Sequence, residues 1–257
     1  MTTADSDGSL PSAELGGAHR GAVGEPLARK TLSVQVAERI TDHILSNALQ
    51  PGAEIPPENE LADRFGVSRL VVREAIRMLS AQEVLLVSQG RQAKVAVPSA
   101  RVLGELLRFR VRQESLNFAD LMTTRRLIEA ETARRAAERV LTPGVSADGL
   151  QEALVSMQEH RADRELFIAF DVAFHRAIAR MAGNSVLELL LDAMEDILRE
   201  ARRASWEGRM LADGDHESTV AGHAAILDAI RRGDPDAASA AMRAHLETTE
   251  RDLGELR

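Results

Sequence analysis

Residues 58–79 constrain the fold most, because two short segments of helical periodicity flank a single glycine there. Ala62 is small enough to let two helices cross closely, and Gly66 can take the positive φ that a tight turn requires. Ser68 is a favoured N-cap residue for the second segment. Apolar residues then follow at the spacing of one buried helix face, namely Val72, Ala75, Ile76 and Leu79. The stretch predicts two helices joined by a turn, a helix-turn-helix.

Arginines recur along the second helix of this motif. Arg69, Arg73 and Arg77 are spaced four residues apart and form a cationic stripe beside the buried face. A run of charges is more often a solvated face than a binding site. Here the stripe is joined to the glycine turn and the serine cap, and a helix laid in a major groove could use it. We therefore predict that this helix reads DNA.

The flanking segments complete a winged domain. An apolar stripe over residues 34–44 predicts a preceding helix. Two apolar runs, 85–87 and 93–97, surround Gln89-Gly90-Arg91-Gln92 and predict a β-hairpin, or wing. Residues 29–97 are thus expected to form a winged helix-turn-helix of three helices and one hairpin.

This part of the chain resembles the GntR family of bacterial transcription regulators. The family contains a stretch like Pro-Ser-Glu-Arg-Glu-Leu-Ala-x-x-Phe-Gly-Val-Ser-Arg-x-Pro-Val-Arg-Glu-Ala-Leu, and residues 55–76 read IPPENELADRFGVSRLVVREAI. Transferred position by position, the resemblance implies DNA contacts from the motif and from the wing tip. These residues are Ser68, Arg69, Arg73, Gln89 and Gly90.

The sequence departs from the family pattern at three positions of the motif. Asn59 stands where an arginine is usual, and Leu70 and Val71 stand where small polar residues and proline are usual. Asparagine pairs with adenine and arginine with guanine, so we expect an altered base preference with DNA binding retained. Asn59 and Leu70 are therefore included among the predicted DNA-binding residues, although Asn59 could equally be a solvated residue.

Charge and composition agree with a DNA-binding protein of two domains. The chain of 257 residues has a net charge of −8, but residues 29–98 carry nine Lys or Arg against eight acidic residues. The acidic balance therefore lies mostly outside the winged domain. There is no cysteine, no secretory segment and no apolar run long enough to span a membrane. We expect a cytoplasmic protein without disulfides or membrane association.

The remaining segments are a tail, a linker and a helical domain. Residues 1–28 are rich in Gly, Ala, Ser and Pro without a periodic apolar face, which predicts a disordered tail. Residues 98–100 are interpreted as a linker. Residues 101–257 show only helical periodicity and predict an all-α bundle of about six helices, so that the whole protein is mainly α. The predicted helices begin near residues 101, 117, 147, 164, 185 and 216, and a closing helix covers 235–254.

Histidine placement singles out one region of this bundle. Asp171 and His175 lie four residues apart at the edge of one apolar stripe, and His223 and His245 belong to the stripes of two later helices. A lone inward histidine is usually a satisfied core residue. Three inward histidines and an aspartate are harder to bury without a shared ion. We predict a divalent metal site of these four residues, the alternative being a neutral hydrogen-bonded cluster.

The same residues resemble the FCD ligand-binding domain of the FadR-like branch of the GntR family. Its characteristic sequence motif is Asp-x-x-Phe-His followed by two later histidines. Here residues 171–175 read DVAFH, and His223 and His245 follow. The resemblance implies a bound divalent ion, commonly zinc, nickel or manganese, with positions open to water or to an effector carboxylate. Three imidazoles and one carboxylate suit zinc, nickel, manganese or iron, so the sequence does not identify the metal.

Arg125 is the predicted effector-binding residue. It stands four residues before Glu129, matching the family's Arg-x-x-x-Glu helix, whose arginine commonly points into the ligand cavity. Two readings stay open: a clamp for an effector carboxylate, or a structural ion pair with Glu129. Trp206, with its neighbours Arg202 and Arg203, is interpreted as packing and solvated charge.

These observations together predict a sequence-specific transcription regulator and not an enzyme. We expect a homodimer that binds a short inverted repeat in double-stranded DNA and acts as a repressor, with operator affinity modulated by a small organic acid in the metal-containing domain. One alternative is a metal-dependent hydrolase fused to a DNA-binding domain, although no catalytic motif such as His-Glu-x-x-His is present. Another is a regulator whose helical domain only dimerises.

Overall fold

The computed structural model describes residues 30–89, 91–212 and 215–254. The chain divides into two compact units. One comprises the described residues through Ala81 together with Leu85–Val95, and the other comprises Gln82–Val84 and the described residues from 96 onward. The predicted tail, residues 1–28, lies outside the described residues. Within the described ranges, no helix has the length and apolar character needed to span a bilayer.

The first unit contains three helices and a two-stranded antiparallel sheet. The helices are α1 (Leu32–Ser46), α2 (Glu58–Phe65) and α3 (Arg69–Ala81), and the strands are β1 (Leu85–Leu86) and β2 (Lys94–Val95). Leu85 pairs with Val95 and Leu86 with Lys94. The predicted winged helix-turn-helix is confirmed.

The turn between α2 and α3 has the predicted geometry. Gly66 adopts φ 64° and ψ 35° in the left-handed region, and the Val67 N–H donates to the carbonyl of Ala62 at 3.1 Å. The Ser68 hydroxyl accepts from the N–H of Val71 at 3.4 Å, which satisfies a donor in the first turn of α3. Backbone conformation and capping therefore set where the second helix begins.

Apolar side chains pack these helices together. α3 buries the four predicted residues Val72, Ala75, Ile76 and Leu79. α1 buries Val36, Ala37, Ile40 and Ile44. Val34 was expected in that stripe but is half-buried in the first turn of α1, and Val36, four residues before Ile40, occupies the buried face instead.

The second unit is a bundle of seven helices in its described residues. These are α4 (Arg101–Arg112), α5 (Phe118–Arg139), α6 (Asp148–Glu159), α7 (Arg164–Met181), α8 (Ser185–Ala212), α9 (Glu217–Arg231) and α10 (Pro235–Gly254). The six predicted starts agree to within one residue, and α10 is the predicted closing helix. This confirms the mainly α fold.

Capping residues define several of these ends. Asn184 accepts hydrogen bonds from the N–H groups of the second and third residues of α8, at 3.1 and 3.2 Å. Asp234 accepts one from Ala237 at 3.0 Å at the start of α10. Gly183 and Gly233, directly before these caps, have φ of 64° and 65°. Glycine is favoured there because it enters the left-handed region without a steric cost.

The core of the bundle brings α7, α9 and α10 together. α10 packs on α5 and α9, while α7 packs on α5, α6 and α8. Phe174, Ile178, Ile226, Ile230 and Met242 are fully buried in one apolar cluster. The polar residues predicted to bind metal lie on these same helices, so the core sets their separation.

A turn after α5 provides a test of the backbone argument. Gly144 has φ 86°, and an added Cβ would meet nothing within 4 Å, so Gly144→Ala should cost backbone strain alone. The N–H of Val145 donates to the carbonyl of Thr142 at 3.1 Å, which makes Pro143-Gly144 the centre of a type II turn. We expect this substitution to lower the free energy of unfolding by about 1 kcal/mol in urea titrations followed by circular dichroism.

Gly149→Ala is the matched control. Gly149 lies in the first turn of α6, also in open space, without a positive φ. Alanine is the better helix former, so this substitution should leave stability unchanged or raise it by about 0.5 kcal/mol. Equal destabilisation by the two substitutions would contradict the argument.

Candidate DNA interface and metal centre

The solvent side of α3 carries most of the residues predicted to contact DNA. Arg69, Leu70 and Arg73 are exposed, and Leu70 shows 70% of its surface to solvent. Arg77 continues the stripe one turn later and lies 3.7 Å from the carboxylate of Glu74. This face combines positive charge with an exposed apolar side chain.

Arg73 and Arg69 differ in whether a neighbouring side chain holds their guanidinium groups in place. The Nε and Nη2 atoms of Arg73 donate to Oε2 of Glu58, on the first turn of α2, at 3.2 and 2.9 Å. The side chain of Arg69, the first residue of α3, has neither a hydrogen-bond nor an ion-pair partner among the residues that the structure describes. The Arg73 guanidinium is therefore held in position, and that of Arg69 is available to pair with a ligand.

The other predicted DNA contacts are also at the surface. Asn59 is exposed on the first turn of α2, and Ser68 is exposed while its oxygen caps α3. Gln89 is exposed between β1 and β2. Gly90, the remaining predicted residue, lies outside the described residues.

The second unit brings the four predicted metal-binding side chains together. Asp171 and His175 come from α7, His223 from α9 and His245 from α10, and all four are buried. One potential ligand atom from each lies within 4.8 Å of the others. Four donors from three helices thus converge on one point.

Contacts on the far side of two rings determine which nitrogen faces this point. His223 Nδ1 donates to the carbonyl of Thr219 at 2.8 Å, which directs Nε2 toward Oδ1 of Asp171 at 3.0 Å. His175 Nδ1 contacts the carboxylate of Glu129, and its Nε2 lies 3.7 Å from the same Asp171 oxygen. Such outer partners orient histidine ligands in metal sites.

This arrangement fits a divalent cation. The Nε2 atoms of His175 and His223 are buried and have no hydrogen-bond partner in the described chain. When Nδ1 is the donor, a neutral ring presents a bare lone pair at Nε2, and here that lone pair faces a carboxylate oxygen. Two acceptors in contact require a proton or a cation between them.

Charge and burial influence the protonation of the cluster. Burial by itself would raise the pKa of the Asp171 carboxyl, but His175 and Arg202 outweigh it and hold that pKa well below its usual range. Burial, followed by the charges of His223 and His175, lowers the pKa of His245 well below its usual range. A carboxylate and a neutral imidazole are the forms that bind metal ions.

Gly222 allows α10 to approach α9 closely. A Cβ on Gly222 of α9 would come within 3.1 Å of the His245 ring. This contact is closer than side-chain carbons normally make, so the ring is packed directly against the α9 backbone beside His223. The composition of α9 does not indicate this role, because a lone glycine in a helix has many possible causes.

Arg202 corrects the sequence interpretation. It was expected to be a solvated charge, yet only 6% of it is exposed. Its Nε donates to Oδ2 of Asp171 at 2.5 Å and its Nη1 to Glu195 at 3.2 Å. Arg202 follows buried Leu198 by four residues, and this inward phase was the available signal.

Arg125 is buried and forms an ion pair. Its Nε donates to Oε1 of Glu129 at 2.6 Å, and the second oxygen of that carboxylate contacts His175. Arg125 also lines a cavity together with Asp171, Arg202 and His245. The ion pair of the structural reading is therefore present, on the wall of a cavity where a ligand could meet the same guanidinium.

Both units match known protein families. Residues 32–95 match the family model described as bacterial regulatory proteins, gntR family. Residues 120–248 match the model of the FCD domain. The second match alone covers half of the chain, and it contains all four clustered residues.

Named relatives and a solved structure agree with these matches. The HTH-type transcriptional repressor NanR of Citrobacter rodentium (strain ICC168) is 34% identical over 254 residues, which cover 96% of this chain and 94% of that protein. NanR of Escherichia coli (strain K12 / DH10B) is 33% identical over 229 residues, or 87% of this chain and 84% of that protein. The structure of Streptococcus agalactiae GntR gives a TM-score of 0.63 at 26% identity, over 85% of this chain and 99% of that one.

The contact between Glu129 and His175 yields a prediction about metal affinity. Glu129→Gln removes the charge that orients and polarises the ring, so zinc binding should weaken by about 10- to 100-fold. Competition with a coloured chelator measures this affinity. Glu138→Gln is the control, because Glu138 is exposed on the same helix and pairs with Arg134 at the surface. Equal zinc affinities in the two variants would contradict an orienting role for Glu129.

Proposed function

Since this chain belongs to the gntR family of bacterial regulatory proteins and is therefore a DNA-binding transcription regulator and not an enzyme, we propose that it is a repressor controlled by a small organic acid. The acid would bind in the helical unit, beside a divalent metal ion, and lower the affinity for operator DNA. The NanR relatives are named transcriptional repressors, which supports repression as the direction of control.

The exposed face of α3 carries the DNA-binding part of this proposal. Arg69 and Arg73 have the donor geometry that reads guanine, and Glu58 holds Arg73 at the surface. The exposed Leu70 offers an apolar surface to a thymine methyl group, and Asn59 could pair with adenine. The proposed operator contacts therefore come from α3 and the first turn of α2.

A homodimer would present two such helices to a short inverted repeat. Closed twofold assemblies are the commonest oligomers, and twofold symmetry in the protein is matched by symmetry in the DNA site. Large apolar side chains exposed on α4, Val102, Leu106 and Phe109, provide surface that a second copy could cover. We propose the dimer on this basis.

The metal site is proposed to consist of Asp171, His175, His223 and His245. The supporting observations are the unpartnered Nε2 atoms of His175 and His223 and the short distances among the ligand atoms of all four residues. A bound ion would supply positive charge and a coordination position for an acid's carboxylate. Zinc, nickel and manganese are all compatible with this donor set. Arg125, which lines the adjacent cavity, would meet the same carboxylate.

The small size of the cavity suggests how binding of an acid could change the conformation of the helical unit. Its free volume is about 30 Å³, which is room for only a few water molecules at about 10–15 Å³ each. An organic acid can enter only if the lining side chains move. The ion pairs of Arg125 and Arg202 would then be replaced by contacts with the acid. A ligand that binds one arrangement better than another shifts the population toward it.

The two alternative functions differ in their support. The family assignment sets aside the hydrolase, and no observation on the described residues favours it. A helical unit that serves only for dimerisation predicts that neither metals nor acids stabilise the protein, which makes that reading directly testable.

The DNA contacts are tested with the protein's own upstream region. Arg69→Ala and Arg73→Ala should each weaken specific binding by about 1–3 kcal/mol, measured by fluorescence anisotropy at fixed salt. Arg243→Ala, an exposed arginine of α10, is the control and should bind as wild type. Absence of sequence-specific binding, or wild-type affinity in Arg73→Ala, would refute the proposed interface.

The metal and acid are tested by thermal shift. Zinc, nickel or manganese should raise the melting temperature of the wild type and not that of His223→Ala, and a small carboxylate should raise it further. A ligand at 100 times its Kd stabilises the folded state by about 2.7 kcal/mol. His43→Ala, an exposed histidine of α1, is the control. If no metal or acid stabilises the wild type, the dimerisation-only reading is correct.

A further inference from the structure

One wall of the cavity is aromatic. The rings of Trp206 and His216 are stacked with centroids 4.9 Å apart and an interplanar angle of 23°. Phe167 lies on the other side of His216 at 4.8 Å. All three line the same cavity as Asp171 and Arg202. Phe167 lies one helical turn before Asp171 on α7, and Trp206 lies one turn after Arg202 on α8, so the cavity has a charged end and an aromatic end.

The aromatic end contains polar atoms without partners. Trp206 Nε1 and His216 Nε2 are buried, and neither has a hydrogen-bond partner in the described parts of the chain. His216 is 1% exposed, so solvent does not replace the missing partner. Buried donors and acceptors in folded proteins are nearly always paired, and those that are not need an explanation.

Packing does not supply that explanation. A phenyl ring would fill the same space without burying a polar nitrogen, and Phe167 shows that the wall accepts one. Burial, followed by the charge of Arg209, lowers the pKa of His216 to about 4 against the opposing effect of Asp215. The imidazole is therefore neutral near pH 7, so the wall presents hydrogen-bonding atoms rather than a charge.

We infer that Trp206 and His216 bind an oxygen atom on the effector's chain, at the end of the cavity opposite its carboxylate. Trp206 Nε1 is a donor only, so its partner is an acceptor such as a hydroxyl or carbonyl oxygen. The effector class is then a hydroxylated or carbonyl-bearing carboxylic acid rather than a fatty acid. This inference rests on the proposed binding of an acid beside the metal site.

The inference also explains how such a site would select its ligand. A hydrocarbon chain in this place would leave both nitrogens unpaired, whereas an oxygenated chain would satisfy them. Sites built to hydrogen-bond a ligand oxygen reject the analogue that lacks it much more strongly than apolar pockets reject small changes in size.

Six-carbon acids that differ only in their oxygens test the inference. Hexanoate, 5-oxohexanoate, 6-hydroxyhexanoate and gluconate are titrated into the full-length, zinc-loaded protein by calorimetry. At least one oxygenated acid should bind about tenfold or more tightly than hexanoate. Trp206 is the single tryptophan of the chain, so its fluorescence should change when that acid binds.

Two variants remove the polar nitrogens and keep an aromatic ring. Trp206→Phe and His216→Phe should each reduce the preference over hexanoate by about tenfold, with zinc content and acid-free operator binding unchanged. His160→Phe is the matched control, because His160 is paired with the carbonyl of Ser156 and does not line the cavity. Circular dichroism confirms that the variants are folded.

Each outcome decides one of the two proposals. If no oxygenated acid binds better than hexanoate, or if both variants keep the wild-type preference, the inference is overturned. If the acids bind with the expected preference but operator affinity does not change, the inference stands and the proposed control by acid fails. If an acid releases DNA equally from wild type and variants, the proposed control by acid stands and the inference about Trp206 and His216 fails.

Discussion

The carboxylate of Asp171 lies in the interior of a helical bundle, where a negative charge persists only if donors and positive groups surround it. One oxygen faces the Nε2 atoms of His175 and His223, and the other accepts a hydrogen bond from Arg202. These partners come from α7, α8 and α9, so the approach of three helices depends on satisfying one buried group. His245 completes the cluster from α10 by packing against the backbone of Gly222.

The same constraint makes the cluster responsive to a ligand. Glu129 joins Arg125 to His175, and the carbonyl of Thr219 orients His223, so the Nε2 atom of each ring faces an oxygen of Asp171. Such a contact is favourable only with a cation or a proton between the two atoms. Arginine side chains on the wall of the neighbouring cavity extend the positive field toward a carboxylate. Structural polar contacts and the proposed effector site are thus one continuous network.

The DNA-binding unit depends on a different kind of interaction, one that is local in sequence. A glycine in the left-handed region and a serine cap set the start of α3, and the periodic apolar face fixes its rotation. Rotation of the helix then decides which side chains reach solvent, and these include Arg69, Leu70 and Arg73. The net charge of −8 does not by itself oppose DNA binding, because three arginines of the winged unit share this one face.

The sequence alone predicted the helix ends and the winged fold. It also predicted that the four clustered residues of the bundle point inward. Caps, turns and periodicity act over a few neighbouring residues, so they can be recognised in the sequence. The predicted helix starts in the bundle agree to within one residue for this reason. The partners of the cluster could not be predicted in the same way. Arg202 of α8 contacts Asp171 of α7, Glu129 of α5 contacts His175 of α7, and Trp206 of α8 stacks on His216 at the start of α9. Those contacts depend on the separation and rotation of helices to within about an ångström, and only packing of the whole core sets these quantities.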